Sequence, residues 1–354
     1  MKTSPLSACG LAVAFIISVV ALQPTTVAQT STVTDPVGFA DITVAGNGGS
    51  GTAAYTFTAI GMTKVVLRQG TTTSAGGATT LVDTTATWAD NAYNGANSAV
   101  THYVEIVSGP GAGTIYDITG TSASGQSLTL SQPLLASITS GASYKVRQHW
   151  TIASVFGTTL QGGSSTTADQ VQLFHNGSYV SYYFQTGTPR GLLNTWVQSG
   201  FPNADAGSTI IYPDDGVLVA RYQSAGVSVT IQGAVKTGQT SIPVLTGYTL
   251  LGNVYASGMT LANCNLYTGN STTGVLGGSS TAADQVMFWD GTNFVSYYYQ
   301  SGTPRGVQNA WVKSGFPNTD VGSTTAIPVG AALFIKRSGA PFNWVVPQFP
   351  TTFN

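Results

Sequence analysis

Ser165-Thr-Thr-Ala-Asp169-Gln-Val, Tyr179-Val-Ser-Tyr-Tyr-Phe-Gln185 and Gly187-Thr-Pro-Arg-Gly191 return later in the chain as Ser280-Thr-Ala-Ala-Asp284-Gln-Val, Phe294-Val-Ser-Tyr-Tyr-Tyr-Gln300 and Gly302-Thr-Pro-Arg-Gly306. A match this regular is the mark of one supersecondary unit used twice. Within each copy, Gln170–Phe174 and Gln285–Trp289 are short runs of apolar and amide residues. A turn follows, His175-Asn-Gly-Ser178 in one copy and Asp290-Gly291 in the other, and then the tyrosine-rich run. Asn-Gly and Asp-Gly between such runs predict tight hairpins. A constant spacing carried on to the closing strands sets Leu218-Val-Ala-Arg221 against Leu333-Phe-Ile-Lys336, and so Arg221 against Lys336.

Outside the repeat, the rest of the chain has the same character. Phe39–Val44, Tyr55–Thr58, Thr63–Arg68, Thr101–Val107, Thr114–Ile118, Leu128–Leu130 and Tyr144–Arg147 are strand candidates, and His149–Phe156 reads as the last strand of that meander. Val227–Gln232, Thr240–Val244 and Tyr248–Leu251 lie between the copies. Strong helical periodicity is missing, and many short strands with regular Gly, Asn and Pro punctuation predict an all-β fold of tandem antiparallel sandwich or barrel-like modules. The expected division is residues 29–225, containing the first repeat (151–222), and residues 226–354, containing the second (266–337). A single core built from both copies, with the earlier residues added outside, is the alternative.

Residues 1–28 are expected to lie outside the fold. Lys2, the apolar run Leu11–Leu22 and the small-residue site Thr26-Val-Ala28 have the layout of a secretory signal peptide. No later run is long enough for a membrane helix. Charged residues make up 7% of the chain, against about 25% in an ordinary globular domain, and the net charge is −1. Such a surface gives little mutual repulsion and favours association, while the lack of a basic patch speaks against nucleic acid. Cys264 stands alone once the leader is removed and reads as a buried thiol. The expected address is therefore secreted: periplasm, cell surface or extracellular space.

A resemblance points the same way. Asp35-Pro-Val-Gly-Phe, Tyr103-Val-Glu-Ile-Val-Ser-Gly, Trp150-Thr-Ile-Ala-Ser-Val-Phe-Gly157, the two Ala-Asp-Gln-Val segments with their Tyr-Tyr strands, Ile211-Tyr-Pro-Asp-Asp-Gly-Val-Leu-Val-Ala-Arg221 and Ile327-Pro-Val-Gly-Ala-Ala-Leu-Phe-Ile-Lys-Arg337 together resemble a functionally uncharacterised paralogous family of secreted proteins found in Verrucomicrobia and relatives. The resemblance spans nearly all of the chain after the leader. It implies export and supplies no catalytic residue.

Chemistry is sought first in the charges that both copies keep: Asp169 and Asp284, Arg190 and Arg305, Asp205 and Asp320, Arg221 and Lys336. Structural ion pairs holding loops in place account for Asp169, Asp284, Asp205, Asp320, Arg221 and Lys336, because a buried arginine is normally paired. Arg190 and Arg305 are also candidates for a repeated ligand clamp. Strand alternation places Tyr183 and Tyr298 on the face shared with Ser and Gln, where a ring can stack on a sugar. Asp214-Asp215-Gly216 and Asp290-Gly-Thr-Asn293 lack the spacing of a calcium loop and read as turns. No metal and no cofactor is expected. The histidines are His102, His149 and His175, and no motif joins them to a nucleophile. The leading expectation is a non-catalytic structural or adhesive protein, with self-association or a surface glycan or matrix as partner. A carbohydrate-binding protein and a hydrolase using carboxylates such as Glu105, Asp117 or Asp169 are the alternatives.

Overall fold

A computed structural model describes residues 35–187, 191–302 and 306–347. The predicted leader, the Thr-Pro-Arg triplets with Arg190 and Arg305, and the last residues lie outside the described residues. From Asp35 on, the chain forms one compact unit. The fold is all-β and antiparallel, as the sequence predicts, and none of its described helices is long and apolar enough to cross a membrane.

The two matching stretches occupy corresponding places in two sheets. In the first, Gln170–His175 lies between Ser178–Gln185 and Gly216–Arg221, with Thr195–Gln198 beyond the former and Ala54–Ala59 beyond the latter. In the second, Gln285–Trp289 lies between Phe294–Gln300 and Ala332–Arg337, flanked by Ala310–Lys313 and Gly247–Gly252. The likeness extends past the segments that match in sequence. Val37–Val44 pairs with Val227–Ala234 beside the first sheet, and Thr240–Val244 pairs with Phe342–Val346 beside the second. Val229 and Ile231 accordingly pack in the first core with Trp150, Val171 and Trp196, so the first unit includes Val227–Ala234. The second core gathers Ile242, Val286, Trp311, Ile335 and Trp344.

Into the first unit is set a six-stranded sheet, running Val66–Thr71, Ser143–Gln148, His102–Ile106, Ile115–Ser122, Ser127–Leu130 and Thr80–Val82 in spatial order. It has its own core of Leu81, Val104, Ile118, Leu128 and Tyr144. Five buried or half-buried charges fasten it. Asp35 receives Lys145 at 2.6 Å and also Arg147, and Glu105 receives Lys236 and, at 3.4 Å, Arg147. Burial by itself would raise the Glu105 carboxyl, but Lys236 and Arg147 together outweigh it and hold the group below its usual range.

The two large sheets meet across Phe57, Phe174, Leu250, Met287 and Phe334. Phe174 and Phe334 cross edge to face with centroids 5.2 Å apart, a favoured aromatic geometry. The approach is close enough that a Cβ on Gly252 would stand 2.4 Å from that of Ala59.

His149–Phe156 does not stay extended: after Trp150–Thr151 the chain turns into the helix Ile152–Phe156. Thr151 and Ser154 form a reciprocal capping box there, satisfying amides that an isolated strand end would leave open. Phe201–Asp205 is an edge strand of the first sheet, with an irregular register against Thr195–Gln198. Pro202 is tolerated because only one side of that strand needs donors.

Candidate functional site

Each sheet closes over a buried aspartate. Asp169, 0% exposed, receives Arg221 Nη1 and the Gln161 amide (2.9 Å) on Oδ2 and the Tyr222 amide (2.9 Å) on Oδ1. Asp284 receives Arg337 Nη1 and the Leu276 amide (2.7 Å) on Oδ2, and Ser338 N and Oγ (2.9 and 3.1 Å) on Oδ1. The partner of Asp284 is thus Arg337 and not Lys336. Strand pairing sets Gln170 opposite Ala220 but Gln285 opposite Lys336. The second copy therefore carries one more residue before its closing strand, and a constant spacing misaligns the two. Lys336 is exposed, its ammonium 5.7 Å from the Tyr248 ring centre.

With both oxygens engaged and no exposed surface, Asp169 has no access to a substrate, and Glu105 is likewise held by two cations. Asp205 and Asp320 do not form ion pairs among the described residues. Asp205 Oδ1 accepts from Thr195 Oγ1 and the Gly207 amide, both at 2.8 Å, and Asp320 Oδ1 accepts from the Gly322 amide at 2.8 Å. Both shape loops.

Tyr183 and Tyr298 do not present a stacking face. They are 4% and 3% exposed, packed on Ala168 and Val197 in one sheet and on Ala283 and Val312 in the other. Their polar neighbours have a structural use. Tyr183 donates to Gln185 Oε1 at 3.0 Å, and Gln185 Nε2 donates to the carbonyls of Leu192 and Pro202 (3.2 Å). Tyr298 and Gln300 repeat this towards Val307 and Pro317 (3.0 Å). Each tyrosine–glutamine pair clips two loops into one tip. Gly191 and Gly306, ending the Thr-Pro-Arg-Gly segments, sit at φ +95 and +87, where a Cβ would come within 2.4 Å of Pro202 O and 2.3 Å of Pro317 O.

Beyond the clip, each tip holds the same sequence, Ser199-Gly-Phe-Pro-Asn203 and Ser314-Gly-Phe-Pro-Asn318. The glycines turn the chain at φ 88 and 86. The phenylalanines that follow, Phe201 and Phe316, are each 61% exposed. Among the charges near them is Lys313, 5.6 Å from the Phe316 ring centre. The sequence reading passed over these residues, because an exposed phenylalanine and a core phenylalanine look alike in one dimension.

One polar cluster was also not foreseen. Asp117, on the inserted sheet, accepts from Tyr212 Oη at 2.9 Å and lies 2.9 Å from His149 Nε2. The His149 ring stands between Tyr103 and Tyr212, and its Nδ1 has no partner among the described residues. Asp214 and Asp215 follow Tyr212, in the turn that the sequence reading assigned them. Burial pushes both carboxyls up, and the Asp214 charge adds to the effect on Asp215. They border a cleft of about 580 Å³ with Asp117 and Tyr212. No group of three or more possible ligands is arranged for a metal among the described residues.

A second cleft, of about 670 Å³, opens beside the helix Ile152–Phe156 and the strand ends carrying Phe184 and Thr195. Comparison with protein-family models, with curated proteins and with solved structures gave no match.

Proposed function

We propose that the chain is a secreted, non-catalytic structural or adhesive β protein that works at the cell surface or in the extracellular matrix through the surfaces it presents. The observation that carries this reading is the matched exposure of Phe201 and Phe316 on two corresponding tips. A large apolar side chain left in water at one site is ordinary. Two of them, at the same place in two sheets and each behind a tyrosine–glutamine clip, form a repeated contact element. Aromatic anchors of this kind dominate binding energy where they enter a partner's pocket, and two on one chain raise the strength of attachment without new contacts. The near-neutral, charge-poor surface supports association in the same direction. Secretion rests on the leader-like residues 1–28 and on the family resemblance.

The test is sedimentation of the purified chain over a range of concentrations, together with binding to cells and matrix of the source organism. The parent is expected to self-associate or adhere. Phe201→Ser and Phe316→Ser are each expected to weaken that, and the double variant to abolish it without loss of fold. A parent that remains a dispersed monomer and binds neither cells nor matrix overturns the reading.

A further inference from the structure

Among the differences between the two sheets is one at an aromatic ring. Phe184 and Tyr299 hold corresponding places in the strands Ser178–Gln185 and Phe294–Gln300, each one residue before the clip glutamine. Each meets a tryptophan edge to face, Phe184 with Trp196 at 5.9 Å and Tyr299 with Trp311 at 5.7 Å. The neighbouring turns also correspond. Ala153 N donates to Gly207 O at 3.0 Å in the first unit, and Ala262 N to Gly322 O at 2.9 Å in the second. In the second unit the chain leaving this turn brings Tyr267 flat onto Tyr299, with ring centres 3.4 Å apart and planes 12° from parallel. In the first unit the chain leaving the turn carries Gly157 and Thr158 instead. Among the described residues no ring stacks on Phe184, and the space bounded by Gly157, Thr158 and Phe184 belongs to the open 670 Å³ cleft.

The geometry points to a ligand site in this cleft for a neutral sugar ring, seated on Phe184 where the second unit seats the Tyr267 ring. The second unit shows that a flat six-membered ring fits against this aromatic floor. The rim selects the chemistry. Gln148 and Asn194 offer amides and Thr151 and Ser208 offer hydroxyls, His149 is buried against Asp117, and among the described residues Asp205 is the one carboxylate on the wall, with no lysine or arginine beside it. Such a wall provides donors and acceptors for hydroxyl groups and nothing to neutralise an anion. The volume lies in the range of small-molecule sites, and the pattern of an apolar floor with a few polar groups is theirs. A pyranose has the matching shape, an apolar C–H face with hydroxyls at its edge. This site is separate from the Phe201 and Phe316 tips and does not depend on the adhesive reading.

The experiment is a calorimetric and tryptophan-fluorescence titration of the purified chain with cellopentaose, xylopentaose, mannopentaose, maltopentaose and N-acetylchitopentaose, with N-acetyltyrosine amide as the aromatic, non-sugar probe. At least one oligosaccharide is expected to bind saturably. Thr158→Tyr, which fills the space as Tyr267 does in the second unit, and Phe184→Ala, which removes the floor, are each expected to weaken it at least tenfold while circular dichroism stays unchanged. Tyr267→Ala, in the other unit, is expected to leave the first cleft's affinity as in the parent. Absence of binding by all five sugars, binding indifferent to Thr158→Tyr in a folded variant, or binding of N-acetyltyrosine amide alone overturns the assignment.

Discussion

Arg337 reaches Asp284 while Lys336, its chain neighbour, stands in solvent beside Tyr248. One residue of register thus separates a buried ion pair from a surface charge. Arg337→Ala is expected to destabilise the fold by about 3–5 kcal/mol, because it strands a carboxylate with no exposed surface. Lys336→Ala is expected to stay within about 0.5 kcal/mol of the parent. Urea unfolding of the two variants checks both, and comparable losses would mean the register is wrong. Arg221→Ala in the first sheet is expected to behave as Arg337→Ala does.

Removing only the Tyr183 hydroxyl leaves the Gln185 carbonyl oxygen without that donor. Tyr183→Phe is expected to cost about 0.5–1.5 kcal/mol, the net worth of one hydrogen bond, and to speed amide exchange in the first tip more than in the second. Tyr298→Phe reverses the pattern. Tyr183→Ala is expected to cost about 3–5 kcal/mol, as for other buried aromatics. Hydrogen exchange read by mass spectrometry distinguishes the tips.

Gly306→Ala places a Cβ against the Pro317 carbonyl on backbone that only glycine adopts freely. A cost of about 1–3 kcal/mol is expected. Gly177→Ala, also at positive φ but with open space around it, is expected to cost less. Thermal melts of the pair separate steric overlap from backbone strain.

The pH dependence of stability has two opposing parts. Asp215 has a folded pKa raised well above its ordinary 3.8 by burial and by Asp214. The folded state therefore favours the protonated group, and this contribution is full below 3.8 and lost as pH rises through the raised value. Asp35 and Glu105 have folded values lowered from 3.8 and 4.5, burial notwithstanding, by the lysines and the arginine they meet. Their contribution is present above those ordinary values and lost as pH falls through the lowered ones. Asp215→Asn, which can still accept from the Tyr212 amide, is expected to match the parent near pH 3.5 and to exceed its stability at pH 7. Denaturation midpoints at both pH values check this, and a variant less stable than its parent at pH 7 contradicts it.

Much of the fold was legible because strands announce themselves locally. Gln170–His175 and Ser178–Gln185 were readable from alternation and from Asn176-Gly177, whose φ values of 51 and 80 are those an Asn-Gly hairpin turn uses. The helix Ile152–Phe156 was missed because its cap is Thr151 with Ser154, a weaker signal than Ser or Thr followed by Glu. The candidate site was less legible. Alternation correctly put Tyr183 on the face with Ser181 and Gln185, but it cannot say whether a polar face is wet or covered. The tip loops cover it. The Asp117, His149 and Tyr212 contacts join residues far apart in the chain, and no local pattern contains them.

The sequence alone determined that the chain is built from short strands, that two of its stretches match one another, and that charge is scarce, since these follow from residue type and spacing along the chain. Only the tertiary structure decided which charge meets which, that Tyr183 and Tyr298 are inside while Phe201 and Phe316 are outside, and that a space stands open beside Phe184 where Tyr267 fills its counterpart. Burial depends on what other segments lay over a residue, and a single inserted residue moves an ion pair from one side chain to the next.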